Sequence, residues 1–307
     1  MLRYLVSRLL QGLLVIFCLY TITFFLVRAV PGDPFTDEKA MSEQNIERQK
    51  AYWGLDQPLP IQYLRSLKKT FLEFDFGPSM KKEGRLVIDI IGQSFPVSFV
   101  LGFGSLGFAL LLGIPSGILS ALKRNSPADY ASMGVALIGI CVPSFVIGPV
   151  LVILVAAQVA WLNVAGWDSP TDWILPSFTL GFSTAAYIAR LTRGGMLDVL
   201  NQDYIRTAYA KGVPPLRVIL LHALRGGVTP AVAFIGPAFA ALISGSFIVE
   251  TIFFVPGMGQ HFLNAATGRD YTLMQGLVMF YGFLIVLANL SADILQAALN
   301  PRVRLTD

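Results

Sequence analysis

Long apolar stretches alternate with polar connectors along this chain, and the stretches are too long to be strands and too uniformly apolar to be surface helices. They cover about residues 9–27, 97–122, 130–160, 174–188, 231–254 and 273–298. At a helical rise of 1.5 Å, about 20 apolar residues cross ~30 Å of hydrocarbon. All but the fourth stretch reach that length. The fourth follows Trp173 and contains Pro176. The pattern predicts an all-α membrane protein with six transmembrane helices. Pro115, Pro143, Pro149 and Pro237 fall inside the stretches. A helix bundle tolerates them because neighbouring groups satisfy the freed carbonyls. Gly113 and Gly117 make a small-xxx-small step that lets two backbones approach closely.

Arg3 and Arg8 precede the first stretch, and Arg28-Ala29-Val30-Pro31 after it offers no small-x-small cleavage site. We read it as a retained helix and not as a signal peptide. Only 14% of the 307 residues are charged, against roughly 25% in soluble domains. The net charge of +4 is modest. No basic cluster interleaved with aromatics supports nucleic-acid binding.

The placement of the charges sets an orientation. Lys and Arg are concentrated before the first stretch, between the second and third, between the fourth and fifth, and after the last. Short loops rich in Lys and Arg stay cytoplasmic, which puts both termini in the cytoplasm. Trp161, Trp167 and Trp173 cluster on the opposite side, as an interfacial belt would. The organisation that follows is a first helix within residues 1–30, an extracytoplasmic segment at 31–95, a five-helix core at 96–300 and a cytoplasmic tail at 301–307. Within the outer segment, helical patterns run around residues 42–53 and 61–74, punctuated by Pro58, Pro60, Gly77 and Pro78.

Catalytic chemistry finds little material. Cys18 and Cys141 each sit inside an apolar stretch, the usual setting of a small buried hydrophobe. His222 and His261 fall on opposite sides of the membrane in this topology and cannot share a metal. Gly257-Met258-Gly259-Gln260 has the outline of a membrane aspartyl-protease motif, but Gln260 replaces the carboxylate. No GxxxxGK[ST] phosphate loop occurs. The expectation is a chain that is not an enzyme and carries no metal or cofactor. Two carboxylates lie within the late stretches, Glu250 and Asp293. Charge at membrane depth is expensive, so each either lines a path, meets a partner subunit, or lies near an interface and pairs locally.

The most informative segment lies between the fourth and fifth stretches, at about residues 190–229. Asp203 is placed to cap a short helix over 204–211, whose basic end suits the helix dipole. Gly212 then suits the left-handed position that ends a helix, and Pro214 and Pro215 open a second short helix to about Leu224. On physical grounds alone this is either a rigid cytoplasmic knob or a simple basic connector.

Tyr204-Ile205-Arg206-Thr207-Ala208-Tyr209-Ala210-Lys211-Gly212, followed by Arg217, His222-Ala223-Leu224-Arg225 and Pro230, resembles the coupling loop of ABC-importer permeases in its peptide-importer form. The generic form has Glu-Ala-Ala where Arg206-Thr207-Ala208 stands, so the generic acidic contact does not carry over. The resemblance extends to Arg28-Ala29-Val30-Pro31-Gly32-Asp33-Pro34, Asp75-Phe76-Gly77-Pro78-Ser79, Val249-Glu250-Thr251-Ile252-Phe253, Pro256-Gly257-Met258-Gly259 and Arg269-Asp270-Tyr271. The long outer segment is similar to that of B-type subunits of oligopeptide and dipeptide importers.

The resemblance implies a type I ABC-importer permease fold and a C-type partner permease. It also implies two cytoplasmic ATPase subunits that drive alternating access, and an extracytoplasmic substrate-binding protein. Its coupling residues are Tyr204, Arg206, Thr207, Ala208, Ala210, Lys211 and Gly212. Importers of nickel chelates, peptide-like antibiotics and opines share these motifs. A stand-alone secondary transporter or channel is the rival class. It would show midplane ion-coupling residues or inverted repeats, and neither is evident in the sequence.

Overall fold

The computed structural model describes residues 2–32, 34–35, 43–156, 158–159, 163, 165–244 and 246–299. Among these the regular structure is helical, apart from one isolated bridge between Pro78 and Leu86. The chain forms two compact units, residues 1–96 with 257–286, and residues 97–256 with 287–307.

In the first unit, α1 (Leu2–Ala29) carries the first apolar stretch. Tyr20, Phe24 and Val27 are buried along one face, while Ile22, Phe25 and Leu26 on the other side stay exposed. That division suits a helix with protein on one side and lipid on the other. Helices α2 (Glu43–Trp53) and α3 (Leu59–Leu72) match the two helical patterns of the outer segment. However, α3 is not free-standing. Its Ser66 and Tyr63 meet Tyr20 and Thr21 of α1, with oxygen–oxygen distances of 2.7 and 2.9 Å.

The second long helix, α4 (Val87–Leu122), begins ten residues before the expected stretch. The polar residues Asp89, Gln93 and Ser94 hide its start in a hydropathy reading. Val87, Ile90 and Ile91 sit on one helical face and pack against Met258, Ala265, Leu273 and Leu277. Helix α4 thus starts within the segment expected to run to 95.

The second unit contains the rest of α4 and then α5 (Pro127–Cys141), α6 (Ser144–Leu151) and α7 (Ile174–Leu200). The expected single span over 130–160 is broken. α5 and the helix after it meet at 110°. Pro143 caps α6 in an extended conformation and lacks the N–H that a continuous helix would need. A π-helical turn, Val152–Ala156, follows α6. Trp167 and Trp173 stack with ring centroids 5.2 Å apart; Trp161 lies outside the described residues.

Helix α7 explains why the fourth stretch reads short. It runs 27 residues, but buried Ser177, Thr179, Gly181, Ala185, Ala186, Ala189, Thr192 and Gly195 dilute its hydropathy. A helix wrapped in protein needs close packing more than apolar bulk. Gly113 and Gly117 of α4 pack against the α7 backbone at Ala185 and Ala189, as the small-xxx-small step required.

The chain continues through α8 (Asp203–Ala210), α9 (Pro215–Arg217), a π-helical turn (Val218–Ala223), α10 (Leu224–Gly227) and α11 (Thr229–Ser244). The expected fifth stretch is also interrupted, because α12 (Phe247–Ile252) starts afresh after α11. The first unit then adds α13 (Met258–Thr267), which the sequence reading did not anticipate, and most of α14 (Tyr271–Leu299). Among the described residues, three helices are long and apolar enough to cross a membrane by themselves. Two bent pairs raise the number to five. The remaining expected stretch, the fourth, is the start of α7.

Candidate functional site

The segment from α7 to α10 builds one small platform. Two residues, Asn201 and Gln202, link α7 to α8. The link is stiff, because Gln202 N–H donates to Val199 O at 3.0 Å and Asn201 Nδ2 donates to Leu197 O at 2.8 Å. Gln202, and not Asp203, is the N-cap of α8; Asp203 occupies the first turn, where its charge suits the dipole. The helix is short but strongly sided. Ile205 and Ala208 are 1% and 7% exposed and pack with Ala121, Met196, Val218 and Ala223. Tyr204, Arg206, Thr207, Ala210 and Lys211 face outward. Of the seven residues expected to couple, Ala208 is thus part of the seat and not of the exposed face.

The far end of α8 is closed by a Schellman motif. Val213 N–H donates to Ala208 O at 3.2 Å and Gly212 N–H to Tyr209 O at 2.9 Å. This geometry places the residue after the C-cap in the left-handed region, and Gly212 has φ +75°. Val213 joins Ala208 in the same core cluster, supplying the hydrophobic contact that accompanies such an end. The Arg206–Asp203 pair, 3.8 Å apart with both side chains mostly exposed, adds little stability. Those charges remain available to a partner.

The sequence reading missed part of this face. Leu216, Leu220 and Leu221 are 67%, 52% and 66% exposed on α9 and the turn after it. Their i, i+4 and i+5 spacing in a basic segment was a visible signal of an unpartnered apolar strip. They follow the outward-facing Tyr204 and Tyr209 in the chain.

Glu250 sits elsewhere in the second unit. It is wholly buried and accepts hydrogen bonds from Ser98 Oγ of α4 at 2.8 Å and from Ser246 Oγ at 2.6 Å. In this conformation it presents no surface to a path or to a second subunit. Asp293 lies in α14, and its side chain is outside the described residues.

The motif residues of the first unit converge on Asp270. Its carboxylate accepts from Leu273 N–H at 3.0 Å, the N-cap bond of α14. It also accepts from Ser79 Oγ, Met80 N–H and Lys81 N–H. Asp75-Phe76-Gly77-Pro78-Ser79 and Arg269-Asp270-Tyr271 are therefore two halves of one joint. Beside it, Lys82 Nζ donates to His261 Nδ1 at 3.0 Å, since an ammonium can only donate. Burial, with Lys82 and Arg85 adding repulsion, pushes the His261 pKa down to about 4. A neutral imidazole that accepts from a lysine fits that shift.

The family model for the "binding-protein-dependent transport system inner membrane component" matches residues 113–305, and the companion N-terminal model matches residues 1–101. The chain belongs to the binding-protein-dependent transport permeases. The permease is 42% identical over 306 residues to the oligopeptide transport system permease protein of Haemophilus influenzae, covering 99% of this chain and 100% of that one. It is 39% identical over 305 residues to the dipeptide transport system permease protein of Bacillus subtilis, covering 99% of both. A solved chain of the inward-facing methionine ABC transporter MetNI shares the fold with TM-score 0.61 and 17% identity. That match covers 69% of the permease and 97% of that chain. It is an inner-membrane, multi-pass transport component with the all-α ABC-importer permease fold.

Proposed function

We propose that the permease is the B-type subunit of a peptide importer. It pairs with a C-type permease, rests on two cytoplasmic ATPase subunits and receives substrate from an extracytoplasmic binding protein. The observation that carries the peptide assignment is full-length identity near 40% to both oligopeptide and dipeptide permeases. The capped, sided helix α8 supports the division of labour. Its outward face, Tyr204, Arg206, Thr207, Tyr209, Ala210 and Lys211, fills an ATPase groove, while Ile205 and Ala208 hold it to the core. Two helices joined by a left-handed glycine transmit a displacement; a floppy loop would absorb it.

The test is reconstitution in lipid. The isolated chain should hydrolyse no ATP. The complete complex should hydrolyse ATP faster when peptide-loaded binding protein is added, and should accumulate peptide in the vesicle. Hydrolysis by the chain alone would overturn the division of labour. A complex stimulated by nickel chelate but not by peptide would overturn the substrate class.

The orientation proposed places α8 and both termini in the cytoplasm. A single cysteine introduced at Ala210 should be protected from an impermeant thiol reagent in cells whose outer barrier is opened, and one at Gln57 should label. Both positions are exposed, so the reverse pattern would invert the topology.

A further inference from the structure

Asp129 was unremarkable in the sequence, and Arg193 counted only as one of several loop cations. In the structure they form a parallel fork, with Arg193 Nε donating to Asp129 Oδ1 and Nη2 to Oδ2, each at 2.8 Å. Asp129 is 2% exposed and the Arg193 side chain 27%. Two further donors complete the carboxylate. Asn125 N–H, at φ +60°, reaches Oδ2 at 2.9 Å, and Ser120 Oγ donates to Oδ1. One carboxylate therefore ties together the end of α4, the turn at 123–126, the start of α5 and the middle of α7. With four donors in place its acceptor capacity is filled. It has nothing left to offer a substrate.

Its position relative to α8 gives it a use. Ser120 is adjacent to Ala121, and Arg193 lies one turn before Met196. Ala121 and Met196 are the α4 and α7 residues against which Ile205 and Ala208 pack. The fork is therefore one residue along α4 and one turn along α7 from the seat of α8, and the stiff Asn201-Gln202 link joins α7 to α8. Without the fork, α8 would still rest on apolar contacts. Those contacts are non-directional and can slide. A bidentate arginine–carboxylate pair fixes angle as well as distance.

We propose that Asp129 and Arg193 are positioning residues for transport. They lock the α4–α5 turn, α7 and α8 into one body, so that a push on α8 reaches α5 as a displacement of the whole group. The proposal rests on reading α8 as the coupling helix. A fork that served folding alone would set the melting temperature and leave the ratio of stimulated to basal ATP hydrolysis untouched.

Two measurements on the complete complex in lipid test it. The first uses spin labels at exposed Lys123 and Gln202, in a background lacking Cys18 and Cys141. Their distance should be the same in nucleotide-free and ATP-trapped complexes. A distance that changes with nucleotide in the otherwise unaltered protein would overturn the single-body picture, and no fork variant is needed to see it. The second compares ATP hydrolysis with and without loaded binding protein. Asp129→Asn should lower the stimulated-to-basal ratio about tenfold, a coupling change of ordinary size, and the label distance should now broaden with ATP. Arg193→Lys, which keeps the charge but loses the fork, should fall between. An Asp129→Asn complex that melts earlier but keeps its ratio would reduce the pair to a structural staple. If Asp129→Asn does not assemble, Arg193→Lys and the label distance decide. Gly212→Val separates the two levels. Full uptake in that variant removes the coupling reading itself, whereas lost uptake together with an unchanged ratio in the fork variants removes only this proposal.

Discussion

Gly212→Val should insert and fold normally, yet lose nearly all peptide uptake. The residue sits at φ +75°, and a Cβ built there meets nothing within 4 Å. The cost is therefore purely conformational. A β-branched residue held in the left-handed region costs about 1–3 kcal/mol. The Schellman bonds from Gly212 and Val213 back to Tyr209 and Ala208 are the local structure able to relieve it. Breaking them frays the last turn of α8 and swings Tyr209, Ala210 and Lys211 out of register with a partner groove. Because the added side chain meets nothing within 4 Å, the membrane helices should be unaffected. Expression and thermal stability in detergent should match the parent, while uptake falls and ATP hydrolysis loses its response to loaded binding protein. Gly212→Asn, which visits that region more readily, should keep intermediate activity. Equal uptake by the Val variant and the parent would reduce this loop to a connector.

The second large effect is expected at the crossing of α4 and α7, and it should be structural. A Cβ at Gly117 would lie 2.5 Å from Ala189 O, 2.7 Å from Thr192 Cβ and 3.1 Å from Arg193 N. Two of these are backbone atoms of a buried helix, so no rotamer change makes room. Overpacking of this kind costs about 1–3 kcal/mol when side chains can adjust and more when they cannot. Gly117→Ala should lower the melting temperature in detergent, and Gly117→Val should prevent accumulation of folded protein. Gly107 lies on the same helix with nothing within 4 Å of its Cβ position. Gly107→Ala should be neutral or slightly stabilising, because alanine is the better helix former. A Gly117→Val protein as stable as Gly107→Ala would mean that the close approach is not tight in the membrane.

Much of the permease was legible from local signals. The apolar runs set the membrane class, since nothing but a helix satisfies its own backbone in lipid. The end of α8 was legible because a glycine after a short helix with a basic last residue is a local instruction, and so were α2 and α3 with their proline and glycine punctuation. Gly113 and Gly117 announced a close helix crossing, but not its partner. That partner, α7, was hard to see because a helix buried among others carries small and polar residues and loses its hydropathy signal.

What remained depended on contacts far apart in the chain. Pro143 was visible in the sequence, but a proline in a bundle can bend a span slightly or break it, and only its neighbours decide that it turns 110°. Val87, Ile90 and Ile91 lie among polar residues, and their membership of α4 is settled by packing against α13 and α14. Asp129 meets Arg193 across 64 positions, and Glu250 meets Ser98 across 152. A lone Asp, Arg or Glu looks the same in a sequence whether it is solvated, paired or catalytic. Its energy is fixed by its desolvation and by the donors that reach it, and both exist only once the helices have packed.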